Sequence, residues 1–366
     1  MDKDKIQKEA LNKLKGKTLA GVNISMGVGK TRIGIKDMVK NYRDGARFLV
    51  VVPRLSVIDS WINEFKKVSL EAFLEETVVF STYRSLLKQD LDFDKVYLDE
   101  CHSLTFSHRP WLAKAVKNGV HVLGLTGTYP TYKTGEKAEM CGSYCPLTYE
   151  YLLDDAVDDN ILNDYRIYIH PLKLSEEMDY AVKDKEGRVK WMSSERKSYD
   201  YWCSKLSNAS GPRDLQILRV MRMKSLQDFP GKMDYVKTLL VTRKHKTIVF
   251  ASTKKQADEI SSFSHHSGNS KAVNQERLEL FKAGDVELLT AVEQLNEGVN
   301  VPDLKTGIIM HTYSNNRKAS QKIGRLLRLN PEETADIHII CYVDTVDKDW
   351  VTSALKHLNQ DKIIWL

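Results

Sequence analysis

Short apolar runs without strict alternation recur along this chain, and most are followed by a stretch whose apolar residues return at helical spacing. Such runs belong to strands buried on both faces. The strand–helix rhythm makes those strands parallel, because parallel neighbours need a long crossover connection. In the first half the runs fall at 19–25, 48–53, 77–81, 95–99 and 121–126, with amphipathic stretches at 31–42, 55–68 and 108–118. The second half has runs at 246–251, 286–292, 306–311 and 337–343, with helical stretches at 254–263, 274–283, 318–329 and 347–359. The pattern predicts an α/β chain of two tandem doubly wound parallel-sheet lobes.

The length of 366 residues suits two domains of about 150 residues with connectors. We place the first lobe at 1–163 and the second at 164–366, entered by a strand at 165–170. Residues 176–230 break the rhythm: Lys, Arg, Glu and Ser dominate, Gly211-Pro212 interrupts, and no strand-like run is visible. This segment is expected to be a mostly helical insertion. No apolar stretch approaches the ~20 residues of a membrane helix. The charged N-terminus lacks the apolar core of a signal peptide, so a cytoplasmic location is expected. The short run ahead of Ser25 implies no N-terminal accessory domain.

A net charge of +6 is compatible with a nucleic-acid partner but is shared by many enzymes. The five cysteines (Cys101, Cys141, Cys145, Cys203 and Cys341) are scattered, and no second pair stands at metal-ligand spacing beside Cys141 and Cys145. Reduced thiols are expected rather than zinc.

Gly27-Val28-Gly29-Lys30-Thr31 follows one apolar run and opens a helix, the context a phosphate-binding loop requires. Its glycines leave room for backbone N–H groups to wrap a phosphate. Lys30 can reach the β- and γ-phosphates of a nucleoside triphosphate, and the Thr31 hydroxyl can ligate Mg²⁺. Ile24 stands where the strict pattern has glycine, which tells against a plain kinase or small-GTPase loop. Asp99 and Glu100 end a second apolar run, so both carboxylates are expected at the carboxyl end of a central strand beside that loop. Asp99 would hold Mg²⁺, and Glu100 would orient and deprotonate the attacking water. His102 can report the phosphate state to the other lobe, and the Thr126 and Thr128 hydroxyls are placed to relay hydrogen bonds between the acidic residues and a bound strand. Far downstream, Gln321, Arg325 and Arg328 lie on a predicted helix, with the arginines three apart on one face. Guanidinium groups there can neutralise charge developing on a γ-phosphoryl group, an effect worth ~10³–10⁵ in rate.

As a set these residues resemble the superfamily-two helicases and translocases. SMGVGKT (25–31) looks like motif I, VVPRLSVIDSW (51–61) like motif Ia and FSTYRSL (80–86) like motif Ib. DECH (99–102) resembles motif II, GLTGTYP (124–130) motif III and TIVFAST (247–253) motif IV. LNEGVNVP (295–302) resembles motif V and QKIGRLLR (321–328) motif VI. MGVGKT, STYRSL and LTGTYP are similar to Snf-type translocases. EGVNVP, QKIGRLLR and the stretch 146–167 look more like phage UvsW-type and RecG-type branch-migration helicases and restriction-enzyme motor subunits.

The resemblance implies RecA-like lobes and ATP with Mg²⁺ bound between them, Arg325 and Arg328 facing the first-lobe residues. It assigns Gln7 to adenine and adds Val28 and Gly298 to the nucleotide contacts. Nucleic acid would be held by its backbone through Arg54, Ser56, Thr82, Tyr83, Ser252, Thr253 and Thr290, contacts that carry no sequence information. The implied activity is ATP-dependent movement of a monomer on forked or branched DNA, serving recombination, repair or replication. An RNA helicase, a duplex translocase without strand separation and a non-hydrolysing scaffold are the alternatives. In the insertion, basic residues interleave with Trp191, Tyr199, Tyr201 and Trp202. Either they clamp or wedge a duplex, or the tryptophans pack a small helical core.

Overall fold

A computed structural model describes residues 2–25, 27–130, 134–184, 186–292, 301, 304–312 and 334–366. The chain divides into two units, the first running to Asn163 and the second starting at Asp164.

Unit 1 is built on a six-stranded sheet. In chain order its elements are α1 (Lys3–Leu14), β1 (Leu19–Ile24), α2 (Lys30–Lys40), β2 (Phe48–Val52), α3 (Ser56–Lys67), α4 (Glu71–Thr77), β3 (Val78–Thr82), β4 (Lys95–Asp99), α5 (Arg109–Lys117), β5 (His121–Thr126), α6 (Glu136–Tyr144), β6 (Leu147–Tyr151) and α7 (Leu153–Asp158). The sheet order is β3-β2-β4-β5-β1-β6, and every neighbouring pair is parallel. All residues of β2 and β4 are buried, as non-alternating runs require. Because the strands are parallel, β1, β4 and β5 deliver their following loops to the same edge of the sheet. The acidic strand β4 does not adjoin β1; β5 lies between them. Strand β6 went unread because it is an edge strand of Thr, Tyr and Glu whose outer residues are not buried.

Unit 2 opens with β7 (Asp164–Leu172), then the hairpin β8 (Tyr180–Lys183) and β9 (Val189–Ser193), α8 (Glu195–Ser207), α9 (Pro212–Asp228) and α10 (Pro230–Val241). It continues with β10 (Thr247–Ala251), α11 (Lys254–Ile260), β11 (Ser264–His265), α12 (Lys271–Ala283), β12 (Leu288–Val292), β13 (Thr306–Ile309), β14 (Thr334–Tyr342), α13 (Val346–Leu355) and β15 (Ile363–Trp365). Its seven-stranded sheet runs β11-β12-β10-β13-β14-β7-β15, again parallel throughout. The helix expected at 318–329 lies outside the described residues.

The insertion corrects the sequence reading in one respect. Two helices dominate it, but β8 and β9 pair antiparallel, Tyr180 opposite Ser193 and Val182 opposite Trp191. The hairpin escaped notice because it is short and mostly solvent-facing, so no apolar run marks it. It rests on a small core of Leu174, Tyr199, Leu226, Phe229 and Tyr342.

Two buried polar clusters organise unit 2. Lys232 of α10 is fully buried; its ammonium meets Asp347 Oδ2 at 2.5 Å and donates to the Met310 carbonyl at 3.0 Å. On the other cluster, His170 Nε2 lies 2.8 Å from His338 Nδ1, and His170 Nδ1 lies 2.9 Å from the Tyr235 hydroxyl. Burial, with His338 beside it, pushes His170 down to about 4 from 6.5.

That displacement fixes a sign. The folded imidazole stays neutral while the unfolded one takes up a proton below pH 6.5, so the stability it contributes is complete above that pH and lost as pH falls towards 4. Between pH 8 and pH 5 the loss from His170 is about 2 kcal/mol. Thermal unfolding at the two pH values will show it, and His170→Gln will flatten the dependence. An equally steep dependence in the variant would exclude His170 as its source.

Candidate nucleotide site

The loop between β1 and α2 is shaped by two glycines with positive φ, +88° at Gly27 and +106° at Gly29. Gly29 also meets a neighbour: a Cβ there would lie 2.7 Å from Gln7 Nε2. Gln7 is buried on α1, donates to the Val28 carbonyl at 2.9 Å, and accepts from Lys36 at 2.8 Å. Both ends of its carboxamide therefore hold the loop and α2. Val28 is buried, while Lys30 and Thr31 form the half-buried first turn of α2. The unpaired N–H groups and dipole of a helix favour anions at such a turn.

Facing this turn is the end of β4. Lys30 Nζ lies 2.5 Å from Glu100 Oε1, both side chains being largely shielded. Glu100 adopts φ +49°, a left-handed conformation that costs a non-glycine residue of order 1 kcal/mol. Its backbone is held there by the Asp99 side chain, which accepts from the Glu100 N–H at 3.0 Å, and by Ser103 N–H on the Glu100 carbonyl at 2.8 Å. Burial alone would raise the Glu100 carboxyl. The Lys30 ammonium, His102 and the Thr126 hydroxyl together hold it below the ordinary range.

Hydrogen-bond counting places a proton on the His102 ring. The Thr126 hydroxyl donates its one proton to Glu100 Oε2 at 3.1 Å and accepts from the Thr128 N–H at 3.1 Å. Its remaining contact, His102 Nδ1 at 2.8 Å, must then be a donor. His102 carries its proton on Nδ1, within 3.2 Å of the Thr128 hydroxyl as well. The interposition of β5 makes this possible, since it sets Thr126 between the ends of β1 and β4.

Asp99 is equally fixed. Trp61 Nε1 donates to its Oδ2 at 2.8 Å, and the Tyr83 hydroxyl donates to its carbonyl at 2.9 Å. Trp61 reaches it because Gly34 lets the indole lie against α2; a Cβ at Gly34 would stand 2.7 Å from the ring. At the opposite end of β4, Lys95 meets Asp37 of α2 at 2.6 Å, and Tyr97 donates to the same carboxylate oxygen at 2.8 Å. No local pattern marks Trp61, Asp37 or Lys95 as supports of the site. Trp61 stood inside the motif Ia string, where a buried aromatic reads as core.

Gln7, Gly27, Val28, Gly29, Lys30, Thr31, Asp99, Glu100, His102, Thr126 and Thr128 thus come together in unit 1. Gly298, Gln321, Arg325 and Arg328 lie outside the described residues. Among the expected nucleic-acid contacts, Arg54 and Ser56 are exposed after β2, Thr82 is half-buried at the end of β3, and Ser252 and Thr253 are half-buried between β10 and α11. Two are corrected. Tyr83 is buried with its hydroxyl on the Asp99 carbonyl, and Thr290 is fully buried with its hydroxyl on the Ala257 carbonyl at 2.9 Å. Each hydroxyl satisfies a buried carbonyl, so neither side chain is turned towards a ligand.

Residues 1–131 match the family model of the type III restriction enzyme res subunit, and residues 231–330 match the helicase conserved C-terminal domain. The two matches fall on different parts of the chain, a restriction-enzyme subunit on the first and a helicase C-terminal domain on the second. A 70-residue stretch, 19% of the chain, is 34% identical to the DNA 3'-5' translocase XPB2 of Sulfurisphaera tokodaii and spans 16% of that relative's length. Among solved structures, the whole chain aligns with 31% of the type ISP restriction-modification enzyme LlaBIII bound to DNA, at 14% identity and a TM-score of 0.63. Over 95% of its length it aligns with 97% of the Pyrococcus furiosus Hef helicase domain, at 15% identity and a TM-score of 0.54. Identities this low speak for the fold alone. Both units have the RecA-like fold of helicases.

Replacing Trp61 with Phe removes the donor to Asp99 and the outer indole atoms that lie against Gly34. Because that carboxylate is buried, the expected loss is about 1–3 kcal/mol in unit 1. Urea unfolding of Trp61→Phe measures it; a midpoint equal to the parent's would show that the indole hydrogen bond holds nothing.

Proposed function

We propose that the chain is a nucleic-acid-stimulated ATPase that moves along DNA. The observation that carries this reading is the linked set Lys30–Glu100–Thr126–His102 at one sheet edge. The glycine loop that a Cβ would obstruct, the lysine on the first helical turn and two buried carboxylates fit a nucleoside triphosphate with a divalent cation. Thr31 and Asp99 would hold Mg²⁺, which when bound supplies charge neutralisation at the phosphates. Lys30 would turn from Glu100 to the β- and γ-phosphates. Glu100, still buried, then loses the cation that depresses it most, and its proton affinity rises towards that of a useful general base.

Thr126 and His102 register the change, because both touch the carboxylate oxygen that Lys30 does not. Gln7 keeps the loop in register through Val28. Gln321, Arg325, Arg328 and Gly298 complete the phosphate contacts in this proposal. Arg54, Ser56, Thr82, Ser252 and Thr253 remain as contacts to the nucleic-acid backbone.

For the substrate we favour forked or branched DNA, acted on by a monomer, with strand separation, branch migration or annealing as the outcome. A second reading, duplex translocation without strand separation, is supported by the likeness of residues 1–131 to a restriction-enzyme subunit and of 70 residues to a DNA translocase.

ATP hydrolysis should be measured with single-stranded DNA, duplex DNA, a four-way junction and RNA as separate activators, at two salt concentrations because backbone contacts weaken with salt. DNA is expected to stimulate, the junction most strongly, while Glu100→Gln lowers turnover ~10²–10⁴-fold with ATP binding retained. Stimulation by RNA without DNA would overturn the DNA reading. Undiminished turnover in Glu100→Gln would remove the base assignment.

A further inference from the structure

Unit 2 contains a groove of about 940 Å³, near the upper end of the ~300–1,000 Å³ typical of ligand pockets. One wall is the hairpin β8–β9 with α8 and α9; the other is the start of α10 and the turn from β10 into α11. Its walls are tied together. Glu195, at the start of α8, is buried; Oε1 accepts from the Gly231 N–H at 2.9 Å and the Tyr342 hydroxyl at 3.0 Å, and Oε2 accepts from the Ser175 N–H at 3.0 Å. Gln256 of α11 donates to the Gln227 carbonyl of α9 at 2.6 Å. The insertion is therefore fixed to the RecA-like sheet of this unit.

The groove is lined by aromatic rings, by four lysines and by four carboxylates. Trp191 is 57% exposed and Tyr201 54% exposed, and neither joins the core formed by Leu174, Tyr199, Leu226, Phe229 and Tyr342. Trp202 meets Tyr201 edge-on at 5.1 Å. Large rings held at the surface of a fixed cleft mark a place where something binds. Lys183, Lys197, Lys224 and Lys255 line the same space. Of the carboxylates there, Asp184 is bound to Arg188 at 2.8 Å and Glu259 to Lys237 at 2.9 Å. Asp228, beside Lys224 and Lys255, and Asp234 are the other acids facing the groove. Among the described residues, neither Lys183 nor Lys197 is in an ion pair.

Thr253, proposed above as a backbone contact, lines the same groove, with its hydroxyl accepting from the Gln256 N–H at 3.2 Å. Exposed rings, lysine ammonium groups and a backbone-contacting turn in one cleft are the elements that hold unpaired nucleotides. We propose that this groove grips single-stranded nucleic acid, its bases stacking on Trp191 and Tyr201 and its phosphates meeting Lys183 and Lys197. The proposal rests on the reading of the chain as a nucleic-acid motor and adds where an unpaired strand is held. A duplex fits the chemistry less well, since its bases are already stacked on each other.

The test uses the full chain, fluorescent oligothymidine and a duplex of equal length, with Trp191→Ala, Trp191→Phe and Lys197→Glu. Iodouracil-substituted oligothymidine supplies photo-crosslinks mapped by peptide. Trp191→Ala is expected to weaken oligothymidine binding about 5- to 150-fold, as loss of one stacked base implies. Trp191→Phe should retain most of the affinity, duplex binding should change little, and cross-links should fall within 180–202. An unchanged melting temperature in each variant shows that the fold is intact. Oligothymidine binding that survives both Trp191→Ala and Lys197→Glu, with cross-links elsewhere, would overturn the groove assignment while leaving the motor reading standing. Equal weakening of single strand and duplex would overturn it too. Failure of the parent chain to bind any nucleic acid would remove the motor reading and this inference together.

Discussion

One helix is tied to one strand at both ends, and the candidate site of unit 1 depends on it. At the carboxyl edge of the sheet Lys30 of α2 meets Glu100 just past β4; at the other edge Asp37 of the same helix meets Lys95 and Tyr97 of β4. Seven helical residues span about 10 Å and five strand residues about 16 Å. The long reach of the two lysines makes up the difference. Gly34, midway along α2, lets Trp61 close the gap and hold Asp99. The phosphate loop and the acidic turn are thereby fixed to each other by side chains, although β5 separates their strands.

The two ion pairs differ in what they can do. Lys95 and Asp37 are buried in the body of the fold, where an unpaired charge would cost several kcal/mol, so that contact is constitutive. Lys30 and Glu100 sit at the sheet edge beside the loop, on a backbone already strained at Glu100. In the proposed function a phosphate would offer Lys30 an alternative partner of higher charge, and the Thr126 hydroxyl would keep Glu100 hydrogen-bonded when Lys30 leaves. On that proposal the Lys30–Glu100 pair would act as a switch, whereas the buried Asp37–Lys95 pair would stay closed.

Much of this was legible in the residues. Wholly buried strands such as β2 and β4 announce themselves as uninterrupted apolar runs, and Gly27, Gly29, Lys30, Asp99 and Glu100 each follow one. What could not be read was lateral order, because no local pattern says that β5 separates β1 from β4. Burial of single polar groups was equally hidden: Tyr83 and Thr290 looked like ligand contacts but satisfy interior carbonyls. The hairpin β8–β9 failed to register because strands facing solvent need no apolar residues. Trp191, read as either clamp or core, is exposed and belongs to no core among the described residues.

A structure of the chain with Mg²⁺ and a non-hydrolysable ATP analogue would decide whether Lys30 switches partners. The account requires the Lys30 ammonium on the β- or γ-phosphate and away from Glu100, with the Asp37–Lys95 contact intact. An analogue bound while Lys30 stays on Glu100, or a loop that closes without admitting phosphate, would contradict it.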